Sequence, residues 1–158
     1  MLCVAIVSYR VPDSNPSIFI DRNTGGKNFR LLLPPILTVV LHDDVFPQEK
    51  YKTVPDEVWL KWVAENGHII VTGDKATTRD PLFLKRLVET KVYCFVLLGL
   101  NGASPEGRAG CILSSLEKIK ELLASSPPPA LWKIAKDNRT ANRCDHEKIL
   151  QKMYANRR

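Results

Sequence analysis

The sequence predicts an α/β fold: a single-domain, three-layer α/β/α sandwich around a mainly parallel central sheet. Three observations predict it. Short apolar runs alternate with amphipathic segments from residue 17 to residue 136, the pattern of strands joined by crossover helices. The run Val92-Tyr-Cys-Phe-Val-Leu-Leu98 is apolar without alternation, as suits a strand buried on both faces of a parallel sheet. A chain of 158 residues, 44% hydrophobic and 25% charged, is long enough for one core and short of two.

Each element follows in turn. Residues 1–16 read as an appended lead-in, and the domain runs over 17–136. Ser17-Ile-Phe-Ile20, bounded by Pro16 and Asp21, is the first strand. Residues 24–33 have helical potential, with Thr24 as N-cap, Phe29, Leu32 and Leu33 on one face, and Pro34-Pro35 as the stop. Residues 36–41 form strand two, followed by a polar loop over 42–54. Pro55 then opens a helix whose first turn carries Asp56 and Glu57 at the positive end of the dipole. That helix turns Val58, Trp59, Trp62 and Val63 inward and ends at Gly67. Residues 68–72 are strand three, 81–90 an amphipathic helix, 92–98 strand four, and 106–125 the strongest helical pattern in the chain. Pro127-Pro-Pro129 ends it, leaving 130–136 as a fifth, edge-type strand. Residues 137–158 read as a basic tail: from Lys133 onward eight Lys or Arg stand against Asp137, Asp145 and Glu147.

Composition narrows the function classes. The excess of 23 Lys and Arg over 17 Asp and Glu, a net +6, favours an anionic partner without naming one. Cys3, Cys94, Cys111 and Cys144 are widely spaced and form no zinc pattern, so they read as reduced thiols. The apolar Leu2–Val7 run is too short for a membrane span and lacks a signal peptide's basic start. A cytoplasmic protein with no membrane association is the expectation.

In an open α/β sheet, ligands gather beyond the carboxyl ends of the strands. The acids fall there. Asp21 follows strand one, Asp43 and Asp44 follow strand two, Asp74 follows strand three, and Asp56 opens the helix after strand two. Acids on one rim repel one another, and a shared cation keeps them ionised together. Hard oxygen ligands suit Mg²⁺ or Mn²⁺. Helix capping alone also accounts for Asp56 and Glu57. His42, beside Asp43-Asp44, can serve as a partner to the acids, whereas His68 reads as a hydrogen-bonded histidine at the edge of the core.

Five segments carry a family resemblance: Ser17-Ile-Phe-Ile-Asp-Arg-Asn23, Leu41-His-Asp-Asp-Val-Phe46, Val54-Pro-Asp-Glu-Val-Trp-Leu60, Gly67-His-Ile-Ile-Val-Thr-Gly-Asp-Lys75 and Val92-Tyr-Cys-Phe-Val-Leu97. Their order and spacing resemble PIN-like domain ribonucleases related to the VapC toxins, over about residues 18–136. The resemblance implies metal-dependent hydrolysis of RNA phosphodiesters, with Asp21, Asp56 and Asp74 catalytic and metal-binding. Asp44 is a fourth metal ligand that competes with its neighbour Asp43. It also implies a small antitoxin protein as partner and a homodimer. Arg22, Lys27, Lys75 and Arg79 lie beside these acids and can hold the phosphate backbone, although ordinary charge balance explains them as well. After strand four, where the family often has a further acid, this chain offers Asn101, which can bind substrate by orienting a water or phosphate but adds no charge. That departure keeps an alternative open: a catalytically weak or inactive PIN-like module binding RNA or a protein.

Two other families fit the motifs poorly. Gly25-Gly-Lys27 is no P-loop, because Asp21 stands where glycine is needed and Asn28 where Ser or Thr is. An aspartyl phosphatase expects an acid two residues after Asp21, and Asn23 stands there.

Overall fold

The computed structural model describes residues 15–26 and 28–156. The expected lead-in therefore lies almost wholly outside the described residues, as does Lys27. Strands β1 (Ile18–Ile20), β2 (Val39–Leu41), β3 (Ile69–Thr72), β4 (Tyr93–Leu97), β5 (Ala130–Ile134) and β6 (Ala141–Cys144) form one sheet in the order β2-β1-β3-β4-β5-β6. All neighbours run parallel except β5 and β6, which are antiparallel. The helices are α1 (His42–Val45), α2 (Asp56–Glu65), α3 (Pro81–Thr90), α4 (Pro105–Ser125) and α5 (His146–Ala155).

Alternation along each strand divides the core in two. Ile18, Ile20, Val71, Phe95 and Leu97 face α4, with Ile112 and Ile119 buried against them. Phe19, Ile70, Cys94 and Val96 face the opposite way, against Trp59, Leu60 and Val63 of α2 and Phe83, Leu84 and Leu87 of α3. This is the expected three-layer sandwich. Every one of these strand residues is 0 or 1% exposed, so the strands read as continuous apolar runs.

Several local expectations change. Residues 24–33 do not form an α-helix: Gly25 and Gly26 weaken its first turn and Pro34 cuts it off, so only a 3-10 turn at Phe29–Leu32 remains. Strand two begins at Val39, three residues later than expected, because Leu37 N–H donates to Pro34 O at 3.0 Å in a turn. In α2, Val58 is exposed and Leu60 takes its place inside. The fifth strand is not an edge, because β6 covers it. The basic tail, expected as a solvated helix, does contain one, but α5 packs Ile149 and Leu150 onto the core on the α3 side, and β6 precedes it. The β5–β6 connection is closed by Asp137, which accepts from Thr140 N, Arg139 N and Thr140 Oγ1 and is held down to about pKa 2 by those bonds. The strand is not legible in the sequence because Ala141-Asn-Arg-Cys144 has no apolar alternation.

The topology dictates where a ligand can sit. From β1 the chain crosses to β2 on one side, over the α4 face, then returns through α2 on the other face to β3 on β1's far side. Between β1 and β3 the connections diverge to opposite faces, which opens a crevice at the carboxyl ends of those two strands. Asp21 ends β1 and Asp74 follows β3.

Candidate active site

A cavity of about 230 Å³ occupies this crevice, with Asp21, Asp56, Asp74 and Asp80 on its walls and Trp59 and Phe83 among its apolar lining. Each acid has a local reason for its place. Asp21 heads a tight turn, its carbonyl accepting from Thr24 N and Gly25 N, both at 3.2 Å. Asp74 caps the 3-10 turn Lys75–Thr78 by accepting from Ala76 N at 2.8 Å. Asp56 accepts from Trp59 Nε1 at 3.0 Å, and Asp80 N-caps α3 by accepting from Leu82 N and Phe83 N. Asp56, Asp74 and Asp80 each use only Oδ1 in this way, which leaves Oδ2 without a hydrogen bond among the described residues.

Asp21 differs from the rest. Its Oδ1 is buried with no hydrogen-bond partner among the described residues. Burial raises its pKa above the ordinary carboxylate value and the charge of Asp74 raises it further, while side-chain hydrogen bonds from Thr24 and Thr72 partly offset this. Those two threonines are oriented by backbone donors. Gly73 N donates to Thr24 Oγ1 at 3.1 Å and Asp74 N to Thr72 Oγ1 at 3.0 Å, which leaves each hydroxyl proton free for Asp21. Gly73 is required between them, since a Cβ there would stand 2.9 Å from Leu100 Cβ.

Not every expected residue comes to the cavity. Asp44 faces away: it pairs with Arg30 and accepts from Leu41 N at 2.8 Å, so it is a capping carboxylate and not a fourth corner. The expectation that four aspartates come together as one ligand set is corrected further. Among the described residues, no three His, Cys, Asp or Glu side chains stand close enough together to form a ready-made metal site. Arg22 lines the cavity, but its guanidinium is spent on Asp43 and on the carbonyls of Phe46, Tyr51 and Lys52. It straps the loop over residues 46–52 and is not free for phosphate. Lys75 and Arg79 are exposed beside Asp74 and Asp80, whereas Asn101 lines a neighbouring hollow. Arg22→Met should cost about 1–3 kcal/mol of stability in urea unfolding and speed proteolytic nicking within residues 46–52; a native nicking rate would show that the loop is held without it.

His42 also lines the cavity. It is buried, and burial first, then Arg22, lowers its pKa against the pull of Asp43, so it is neutral at pH 7. His68 bonds Ser17 and stacks on Trp62 at 5.3 Å, as expected of a core-edge histidine. The sequence reading missed Asp80, Thr24 and Thr72. Asp80 was legible as the N-cap before Pro81, and Thr72 as the residue leading into Gly73-Asp74.

A family model described as a PIN-like domain matches residues 16–99, just over half of the chain and the whole of β1 to β4. No curated protein and no solved structure matches. No helix among the described residues is long and apolar enough to cross a membrane.

Proposed function

The chain belongs to the PIN-like domain family, whose members are generally nucleases, and from that membership we propose that it is a divalent-metal-dependent endoribonuclease. The observation that carries this reading is the crevice itself. Asp21, Asp56 and Asp74, three acids from separate parts of the chain, line one cavity at the switch point of the sheet, and one of them keeps an orphaned buried oxygen.

The wide spacing of the acids fits a hydrated ion. Mg²⁺ keeps several waters and binds through one or two carboxylates plus substrate phosphate, so a tight cluster of three is not required. Asp21 would bind directly through its unpartnered oxygen, with Asp56, Asp74 and Asp80 accepting from metal-held waters through their free Oδ2 atoms. When bound, Mg²⁺ or Mn²⁺ would supply a water of lowered pKa and neutralise charge developing on the phosphoryl oxygens. The chain's own residues do the rest. Thr24 and Thr72 hold Asp21 in place, the Arg22 strap fixes one wall, and the exposed Lys75 and Arg79 offer charge to the phosphate backbone.

Within the family, the resemblance of residues 54–60 and 67–75 to VapC-related sequences supports a toxin held by a small antitoxin protein, with a homodimer as the oligomeric state. Leu31 and Ile36, 82% and 80% exposed, supply apolar surface for such a partner. Asn101 in place of a fourth-strand acid favours a second reading, an inactive module that binds RNA.

Cleavage of single-stranded RNA by the full chain with Mg²⁺ or Mn²⁺ decides between them. Asp74→Asn should reduce it roughly 10²-fold, the scale of losing a residue that orients metal-bound groups. A native chain that binds RNA yet cuts none with either ion would establish the second reading.

A further inference from the structure

We propose that Arg108, on the first turn of α4, holds a phosphate of the RNA strand next to the scissile one, in a second hollow that shares Asn23 and Asp74 with the acidic cavity; this rests on the ribonuclease reading above. The hollow, about 320 Å³, is lined by Asn23, Gly73, Asp74, Asn101 and Arg108 among others. Asn23 and Asp74 belong to both cavities, so the two meet at the residues that follow β1 and β3. They lie on opposite faces of the sheet: the acidic cavity has α2 and α3 residues on its walls, and the second has α4. A strand crossing the crevice would pass from one to the other.

The second hollow shares Asp74 with the first, but the charged residue it adds is a base, Arg108. Arg108 is half-buried, and among the described residues it forms no ion pair; its one hydrogen bond runs from Nη1 to Thr24 O at 3.0 Å. A guanidinium has five donors, so four remain, directed by a bond that fixes the side chain. An arginine without a carboxylate, beside a neutral amide and a glycine-lined wall, is suited to a phosphodiester in bidentate contact. Asn101 supplies a second donor there. On this reading the position after β4 serves binding where it carries no charge: a carboxylate in place of Asn101 would add to that of Asp74 and repel the phosphate.

Because Arg108 also braces the turn that carries Asp21, its test must separate charge from support. The probe is a fluorescent single-stranded RNA oligonucleotide, read by anisotropy in EDTA over a salt series, with cleavage in Mn²⁺ measured in parallel. Arg108→Gln keeps a donor for Thr24 O but loses the charge; it should weaken binding about tenfold and flatten the log–log salt slope by about 0.7, one phosphate contact on a single strand. Arg108→Lys should keep the native slope. A purely structural arginine would leave the slope unchanged in both variants. If Arg108→Gln binds with the native slope while the native chain cuts RNA, the arginine proposal alone is overturned. If the native chain neither binds nor cuts RNA, the ribonuclease reading falls and takes this one with it.

Discussion

Asp21→Asn should abolish RNA cleavage while making the protein more stable at neutral pH. The loss is expected at roughly 10³-fold, about 4 kcal/mol of transition-state stabilisation, because the substitution removes the charge from the one carboxylate in the crevice with a buried, unpartnered oxygen among the described residues. The gain comes from the same burial. A carboxylate whose folded pKa is raised binds its proton more tightly in the folded than in the unfolded state, so stability falls as pH rises from the ordinary carboxylate value through the raised one. At pH 7, above the ordinary carboxylate value, that cost weighs on the folded state together with repulsion from Asp74. Asparagine carries neither, and a gain of about 0.5–2 kcal/mol is the usual scale for relieving a functional site. The advantage should vanish below the ordinary carboxylate range, where Asp21 is protonated in both states. Melting curves of both proteins at pH 3.5 and pH 7 check the sign, and cleavage assays check the loss. A variant less stable than native at pH 7, or one that still cuts within tenfold, would contradict this account.

Phe19→Ala should cost about 3–5 kcal/mol, a large part of the stability of a domain this size. Phe19 is fully buried in β1, between β2 and β3, and stacks on Trp59 with ring centres 5.6 Å apart and planes 8° from parallel. His42 and Trp62 close around it at 5.9 and 6.0 Å. Truncation leaves a cavity that β1, paired on both sides, cannot collapse to fill. It also loosens Trp59, whose indole N–H fixes Asp56, and the strand that delivers Asp21 two residues on. Urea unfolding followed by tryptophan fluorescence measures the cost. A loss under about 1 kcal/mol would mean that the aromatic stack bears little of the core.

Much of this fold was legible because its signals are local. The β4 run needs no partner to look like a strand, and Asp80-Pro81 marks the start of α3 by capping chemistry alone. What stayed hidden depends on contacts between distant segments. Residues 24–33 had a plausible apolar face, and two glycines at its start with a proline at its end outweighed it. Cys144 joins the core only because β6 finds the edge of β5. Among the acids, Asp21 and Asp74 could be placed from strand ends, since a strand's exit point survives small errors of boundary. Asp44 could not, because α1 begins directly after β2 and turns its carboxylate toward Leu41 N and Arg30. Arg108 was invisible for a different reason: within a long amphipathic helix one basic residue looks like any other, and only the fold shows which one overlooks the crevice.

The antiparallel β6 has a further consequence, for the behaviour of the protein in concentrated solution. A parallel sheet that ended at β5 would present five residues of unpaired backbone at a straight apolar edge, an open template for another chain. β6 covers it with a shorter strand whose outward residues include exposed Asn142 and Arg143. Among the described residues the opposite edge is β2, which offers only three residues before α1 turns away. Both margins of the sheet are thereby blunted, and self-association through strand addition is disfavoured while the fold is intact.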